Sequence, residues 1–380
     1  MLFEVNLKIL AVYPGLNPVF DDDAFVLASL VAMGCHVKVI TSRMSMLKSH
    51  ELCAGFENFK GVEIYRPYSH PDDLMKNPDA MQGELIRMFD EFSPDILFLN
   101  SFRSLSIGRL LQSRRRTPSL LRLETADPLS LLQRRYYLGL RPLGRVLGRA
   151  KWRHTATSVD AMMTNDPADQ PNLAQLGARG RHAYYAAHCA RQPGGVHVAK
   201  QRNRGEMIYI GSMIRHKNCS VWLNTIPALF ENTPVEQFTV IGSGPYQYIV
   251  DILKKRFGNR IQYISGVPRQ EALERLSGAY FAYTESDSGW GFLCDAWAVG
   301  TPILCPQSTF GIVADKTGLM PKGTQALVEK IRVLYSDESL YHSLQEAGIK
   351  RLQNEHSPEV VSLQYLSIFR KTLLSGNGSK

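Results

Sequence analysis

Apolar residues in the first half of the chain form short runs that alternate with stretches of helical periodicity. FVLASLVAMG and MQGELIRMFDEF space their apolar residues as amphipathic helices do. The short runs between such stretches have the composition of buried strands: LKILAVY, HVKVITS, VEIYRP, DILFLN, SLLRLE and AMMTND. This alternation predicts a parallel sheet with helices on both faces.

Residues 189–204 interrupt the alternation with proline, glycine and polar residues, which is the composition of a linker. A second alternation follows, and the C-terminal stretch is helical. A chain of 380 residues suits two domains. We therefore predict an α/β protein with two Rossmann-like doubly wound domains, residues 1–188 and 205–358, facing a central cleft. Residues 359–380 form a helix that can pack back on the first domain.

The composition is that of a folded globular protein, with 44% hydrophobic and 21% charged residues. The six cysteines are scattered and form no C-x-x-C pair, which indicates reduced and mostly buried thiols. The apolar N-terminus lacks the basic region and cleavage site of a signal peptide. No window approaches the roughly 18–20 apolar residues that span a bilayer. We therefore expect a cytoplasmic protein.

Glycines follow two predicted strands of the second half. The first loop, YIGSMIRHKN, places Arg215 and Lys217 after Gly211. Backbone amides beside a glycine can approach an anion, and the two basic side chains can neutralise a diphosphate; an ordinary surface turn is the alternative. The second loop, VIGSGP, places Gly242 and Gly244 between a strand and a helix, a pattern that also suits a simple tight turn.

Two further loops complete the series. Gly266 and Val267, in ISGVPRQEALERL, lead into a helix, and a plain helix start is the alternative. Asp287 and Asp295 lie eight residues apart in TESDSGWGFLCDAWAVGTPIL, around a glycine-containing loop that opens another helix. Amides at a helix start can bind an anion, and the carboxylates can accept hydrogen bonds from sugar and ribose hydroxyls. Four such loops in this order indicate a ligand site.

In these loops the second half resembles the donor domain of the retaining, family 4-like GT-B glycosyltransferases, which use nucleotide sugars. That family has a lysine six residues after the first glycine, a G-x-G-P turn, a strand–Gly–Val segment and two acids eight apart. The second acid is followed directly by A-x-A-x-G-x-P. The matching run here is DAWAVGTP, which begins at Asp295. The resemblance covers about residues 205–305, and it implies that residues 205–358 bind the donor and residues 1–188 the acceptor.

The resemblance implies roles for individual residues. Lys217, with Arg215 nearby, would hold the diphosphate, Asp295 would bind the ribose, and Asp287 would contact the transferred sugar. The residues implied at the donor site are Gly211, Ser212, Arg215, Lys217, Gly242, Gly244, Val267, Glu285, Asp287, Gly289, Gly291, Phe292, Leu293 and Asp295. The residues expected to be catalytic are Asp287, Lys217, Arg215 and Glu124.

The second half departs from the family pattern in three ways. Aspartates replace both family glutamates, and each side chain is one methylene shorter. The glycine pair Gly289 and Gly291 is shifted by one position, so that Glu285 or Ser288 can fill the role of the first acid. Ser212 stands where the family often has an arginine. These changes bear on the identity of the sugar more than on the use of a nucleotide.

The first half matches the family in outline. Glu124-Thr125-Ala126-Asp127 stands where relatives often have a histidine after the strand SLLRL. Glu124 or Asp127 would then face the cleft. The alternative is that Glu124 pairs with a neighbouring arginine and has no role in the site.

The net charge of +9 is concentrated in one segment. Residues 114–153 hold eleven Lys and Arg against two acidic residues, and the rest of the chain is balanced. Leucine and aromatic residues accompany Arg134, Arg135, Arg141 and Arg145, which suits the surface of an anionic membrane. A polyanionic acceptor such as nucleic acid is an alternative, although no nucleic-acid module is visible. A solvated loop without a partner is another.

We therefore predict a hexosyltransferase-type glycosyltransferase that moves a sugar from a UDP- or GDP-type donor to a hydroxyl acceptor, with retention of configuration. A lipid-linked or cell-surface glycan precursor as acceptor would place it at the inner face of the membrane. We expect no metal and no cofactor, because the donor loop has no D-x-D motif. The alternatives are a sugar-nucleotide epimerase of the same fold and a non-catalytic sugar-nucleotide-binding protein.

Overall fold

The computed structural model describes most of the chain, in several ranges. They are residues 6–18, 21–44, 52–73, 78–123, 158–166, 173, 183–190, 201–286, 290–306 and 316–377. The chain divides into two compact units: residues 1–189 with 358–380, and residues 190–357.

The first unit is built on a mostly parallel sheet. Its described strands are β1 (Lys8–Val12), β2 (His36–Ser42), β3 (Phe56–Phe59), β4 (Val62–Tyr68), β5 (Ile96–Asn100), β6 (Ser119–Leu123), β7 (Ala161–Thr164) and β8 (Ala183–Tyr185). They lie in the order β3-β4-β2-β1-β5-β6-β7-β8, and only β3 is antiparallel to its neighbour. The helices between them include α1 (Asp23–Ala32), α2 (Gln82–Phe92) and α3 (Leu105–Arg114).

The second unit contains a fully parallel sheet. Its described strands are β9 (Asn203–Ile210), β10 (Gln237–Ile241), β11 (Ile261–Ile264), β12 (Ala279–Tyr283) and β13 (Ile303–Leu304), in the order β11-β10-β9-β12-β13. Its helices are α4 (Trp222–Asn232), α5 (Gln247–Phe257), α6 (Arg269–Gly278), α7 (Trp290–Ala298), α8 (Thr324–Ser336) and α9 (Glu338–Arg351). Short 3₁₀ turns at Arg215–Lys217 and Cys219–Val221 precede α4.

Each sheet is buried on both faces, because successive strand residues point to opposite sides. In β9, Met207 and Tyr209 join one hydrophobic cluster, whereas Ile208 joins another. In β1, Ile9 and Leu10 divide between two clusters in the same way. This arrangement explains the near-continuous apolar runs, and it confirms the predicted doubly wound α/β fold.

The C-terminal helix α10 (Pro358–Asn377) packs within the first unit. Its buried residues Tyr365 and Phe369 place their rings 5.7 and 5.4 Å from the ring of Phe98 in β5. The backbone N–H of Ala187 donates to the side chain of Gln364 at 2.8 Å. Among the described residues, no helix, α10 included, is both long and apolar enough to cross a membrane.

Three strand features differ from the sequence expectation. The strands β3 and β8 were not anticipated, since β3 is a partly exposed edge strand without an apolar run and β8 has only three residues. The strand β9 begins at Asn203, inside the segment expected to be linker. Its first residues are polar because they lie at the exposed end of the sheet, where the apolar pattern carries no signal.

Candidate functional site

The loops that follow β9, β10 and β11 lie side by side at the carboxyl edge of the second sheet. The N–H of Gly211 donates to the carbonyl of Ile241, and the N–H of Gly242 donates to the carbonyl of Ile264, both at 2.9 Å. Beyond the strands, the N–H of Met213 donates to Ser243 at 2.9 Å. The two glycine loops of the sequence are therefore joined directly, backbone to backbone.

Gly242 and Gly244 allow this close approach. Their φ angles are +140° and +153°, a region that L side chains rarely adopt. A Cβ atom on Gly242 would overlap the carbonyl oxygen of Gly211, and one on Gly244 would overlap that of Met213. Backbone atoms cannot move aside as the end of a flexible side chain can, so both positions require glycine.

The two basic residues of the first loop differ in exposure. Arg215 is exposed at the start of its 3₁₀ turn, whereas Lys217 at the end of that turn is 8% exposed. Burial raises the pKa of the nearby Cys219 thiol to about 11; the positive charge of Lys217 opposes that shift and the negative charge of Glu285 adds to it. The charges of Lys217 and Glu285 thus both act on one buried thiol.

Glu285 follows β12 and is 3% exposed. The hydroxyl of Tyr283 donates a hydrogen bond to its Oε1. Burial raises the pKa of Glu285 to about 7, because the charged form loses hydration. Near neutral pH the carboxyl group is therefore divided between a protonated form that can donate and an ionised form that can only accept.

A cavity of about 390 Å³ opens beside Glu285. It is lined by Tyr283 from β12, by Thr225 from α4, and by Lys322 and Thr324 at the start of α8. Its volume is within the roughly 300–1,000 Å³ typical of ligand pockets. A buried carboxyl group thus faces a space of ligand size within the second unit.

The start of α7 brings a second group of predicted residues to this edge. The ring of Phe292 lies 5.8 Å from that of Tyr209, whose hydroxyl donates to the carbonyl of Ser212 at 2.9 Å. Leu293 is buried, and Gly291 is exposed. The first turn of α7 and the first glycine loop are therefore packed together.

Asp295 lies further along α7 and is half-buried. Its Oδ1 accepts a hydrogen bond from Nη2 of Arg269, the first residue of α6. Val267, two residues before Arg269, is partly buried against the same hydrophobic cluster as Leu293. Arg269 could not be found from the sequence, because its partner is 26 residues away and an arginine in a first helical turn carries no signal by itself.

The structure places the described donor-site residues on adjoining loops of one unit. The remaining predicted site residues lie outside the described residues: Glu124, Asp127, Arg134, Arg135, Arg141, Arg145, Asp287, Ser288 and Gly289. Among the described residues, no group of three or more His, Cys, Asp or Glu side chains is arranged to hold a metal ion.

The carboxyl edge of the first sheet has a different chemistry. Arg122 in β6 is 4% exposed, and its Nη1 lies 2.5 Å from Oδ2 of Asp23 at the start of α1. The charges of both residues act on the fully buried Tyr13, whose pKa burial raises well above its ordinary value. Asp23, the last of the consecutive aspartates 21–23, is therefore engaged in an internal ion pair.

Residues 26–185 match the family described as Glycosyl transferase 4-like domain. The match falls in the first unit, where the sequence motifs resemble the family only in outline. No curated protein sequence shows significant similarity to the chain.

Solved structures share the whole fold. Sucrose-phosphate synthase from Thermosynechococcus elongatus is 14% identical, with a TM-score of 0.72 over 97% of this chain and 100% of that one. HepE of Anabaena, solved with UDP and glucose and also with UDP-glucose, is 13% identical, with a TM-score of 0.65 over 96% and 100%. A protein described as UDP-N-acetylglucosamine 2-epimerase from Listeria monocytogenes is 13% identical, with a TM-score of 0.58 over 96% and 96%.

The fold is therefore GT-B, and the predicted resemblance to family 4-like GT-B glycosyltransferases is confirmed. Residues 26–185 match a glycosyl transferase 4-like domain, and a second Rossmann-like unit follows. This is the architecture of the GT-B glycosyltransferases.

Proposed function

We propose that the protein transfers a sugar from a UDP-type nucleotide sugar to a hydroxyl acceptor. The observation that carries the proposal is the pair of interlocked glycine loops, with Lys217 beside them and a buried carboxyl group next to a cavity. The structural likeness to HepE, which was solved with UDP-glucose, favours UDP over GDP.

The diphosphate would be held where Gly211, Lys217 and the first turn of α7 adjoin. When the bond between the anomeric carbon and the β-phosphate oxygen breaks, negative charge grows on the leaving diphosphate. Arg215 and Lys217 would neutralise that charge, and the amides at the start of α7 would add partial positive charge. Because side chains and amides supply this neutralisation in our proposal, excess EDTA should leave the rate unchanged.

We assign the contact with the transferred sugar to Glu285. This residue lies at the carboxyl end of β12, its carboxyl group is held by Tyr283, and it faces the cavity. With a pKa near neutrality it can donate to a sugar hydroxyl or accept from one. The contact of Asp287 with the transferred sugar, which the family resemblance implies, stays a prediction.

We further propose hexosyl transfer with retention of configuration, on the strength of the family resemblance. For the acceptor side, we propose that Arg134, Arg135, Arg141 and Arg145 of the cationic segment 114–153 meet an anionic membrane, where each basic residue near the surface contributes about 1 kcal/mol. Arg122 of the same segment is buried against Asp23 and takes no part in this surface. Replacing Arg134, Arg135, Arg141 and Arg145 by glutamine should reduce flotation with anionic vesicles. Unchanged flotation would contradict the membrane proposal and leave the donor proposal intact.

The donor proposal is tested by thermal shift with a panel of UDP and GDP sugars. A bound donor raises the unfolding temperature, since it stabilises only the folded state. We expect stabilisation by UDP and at least one UDP sugar, and no shift with any nucleotide would contradict the proposal.

The transferase is then separated from an epimerase by the product. A transferase releases free UDP in proportion to added acceptor, whereas an epimerase returns an epimeric nucleotide sugar without an acceptor. Formation of the epimer alone would identify the second activity, which the likeness to the Listeria protein makes the principal alternative.

A further inference from the structure

We propose that Arg269 is a positioning residue for Asp295 and that this pair makes the site selective for ribonucleoside over 2′-deoxyribonucleoside diphosphates. This inference rests on the proposed function and on the role in ribose binding that the family resemblance implies for Asp295. It concerns a residue that the family motifs do not include.

The ion pair joins two elements of the donor site. Arg269 is the first residue of α6, directly after the Gly266–Pro268 loop, and Asp295 lies within α7. Nη2 of the arginine donates to Oδ1 of the aspartate. The two side chains are 32% and 26% exposed, so both partners remain accessible to a ligand.

The pair is not required to hold α6 against α7. Leu273 and Leu276 of α6 and Leu293 and Ala296 of α7 are already buried in one hydrophobic cluster. A half-exposed ion pair adds little to this packing, because solvent screens it and two long side chains lose conformational freedom. What the pair does contribute is a fixed orientation of the carboxylate.

That orientation matters more for aspartate than for glutamate. The carboxylate of Asp295 lies one methylene closer to the axis of α7 than that of the glutamate in the resembled family. A shorter side chain has fewer rotamers with which to meet two ribose hydroxyls, so it must be held in the productive one. A carboxylate offers about four lone-pair positions, which leaves it able to accept from a 2′-hydroxyl while Arg269 occupies Oδ1.

Arginine suits this task better than lysine. Its planar guanidinium holds five donors in a rigid fork, whereas a lysine ammonium is a mobile point charge. The bond to Asp295 from Nη2 leaves further N–H groups on the guanidinium. Arg269 directly follows the Gly266–Pro268 loop, and the family resemblance implies that the backbone of Gly266 and Val267 meets the nucleotide base. Arg269 thus lies between the segment proposed to meet the base and the acid proposed to meet the ribose.

The experiment measures the dissociation constants of UDP and 2′-deoxy-UDP for the full chain by calorimetry. The wild type should bind UDP at least about tenfold more tightly, as expected for a lost hydrogen bond to a charged group. Arg269→Ala should reduce that ratio to near unity, chiefly by weakening UDP, and Arg269→Lys should give an intermediate ratio. Asp295→Asn should also remove the preference, and adding Arg269→Ala to it should change the ratio no further.

Arg275→Ala is the matched control. Arg275 lies on the same helix and forms an exposed ion pair with Glu271 at 2.8 Å. Its loss removes the same charge and a comparable ion pair from α6, and the UDP preference should be retained.

The outcomes are distinct. If wild-type protein binds neither nucleotide, the proposed function fails and this inference with it. If it binds both equally, or if Arg269→Ala weakens both by the same factor, UDP binding stands and the inference is overturned. Loss of the preference in Arg269→Ala but not in Arg275→Ala supports it.

Discussion

The carboxyl edges of the two sheets show how similar architecture can serve different purposes. In the first unit, the charge of Arg122 is directed at Asp23 and buried beside Tyr13. In the second unit, Arg215 is exposed to solvent and Glu285 lines a cavity. The ion pair of the first edge stabilises the fold, whereas Arg215 and Glu285 of the second edge can reach a ligand.

The difference teaches that charge alone does not identify a site in this fold. Arg122 and Lys217 are both nearly buried basic residues at a sheet edge. Lys217 adjoins loops whose backbones are packed together through glycine, and Val221 and Glu285 of the same sheet edge line a cavity of ligand size. Variants at the carboxyl edges of the first and second sheets can test the two roles separately.

The largest effect is expected from Gly242→Ala. The added Cβ would meet the carbonyl of Gly211 at a positive φ, so the joined loops must separate. We expect a loss of more than about 3 kcal/mol of stability, or failure to fold, measured by urea unfolding. Gly258→Ala is the control: its φ of +57° is also positive, but a Cβ there meets nothing within 4 Å, so only the backbone strain of about 1–3 kcal/mol remains. Equal losses in the two variants would contradict the close-approach argument.

Asp23→Asn should destabilise the protein at the carboxyl edge of the first sheet. It leaves the nearly buried Arg122 without its charged partner, and removing one member of such a pair costs about 3 kcal/mol. The unfolding midpoint should fall, while the UDP affinity of the remaining folded protein stays at the wild-type value. A selective loss of UDP affinity would place this pair in the donor site instead.

Glu285 should make stability fall as the pH rises. Its folded pKa of about 7 lies above its ordinary value of 4.5, so the stabilising protonated form is complete below pH 4.5 and is lost as the pH rises through 7. We expect a decline of roughly 2 kcal/mol between pH 5 and pH 8 from this group. Glu285→Gln, which stays neutral, should flatten that part of the urea-unfolding profile; an unchanged slope would show that Glu285 is not the group responsible.

Lys217→Ala should have a small effect on stability and a clear one on binding. Removing the charge beside the diphosphate should weaken UDP by about 10- to 100-fold, or roughly 1.4–3 kcal/mol, measured by calorimetry. Lys255→Ala, an exposed lysine on α5, should bind UDP as the wild type does. Wild-type affinity in Lys217→Ala would move the diphosphate away from this loop.

Site residues with a local signal could be predicted from the sequence, whereas those whose roles depend on residues distant in the chain could not. The loop glycines could be found from the sequence, since a glycine after an apolar strand is a local signal. The pairing of Arg269 with Asp295 could not, because the two residues belong to separate helices and each looks like an ordinary helical charge. The choice of Glu285 as the buried acid also needed the structure, because burial and the contact with Tyr283 depend on packing.

By itself, the sequence determined the doubly wound α/β architecture, most strands and helices, and the order of four loops along the second unit. These features follow from apolar periodicity and from glycines that act within a few residues. Only the tertiary structure decided which charges serve the fold and which face a ligand. In the sequence, Arg122 and Lys217 are both basic residues in or just after a predicted strand. Their roles depend on what the sheet brings beside them: a carboxylate of α1 for Arg122, and glycine loops with a cavity nearby for Lys217.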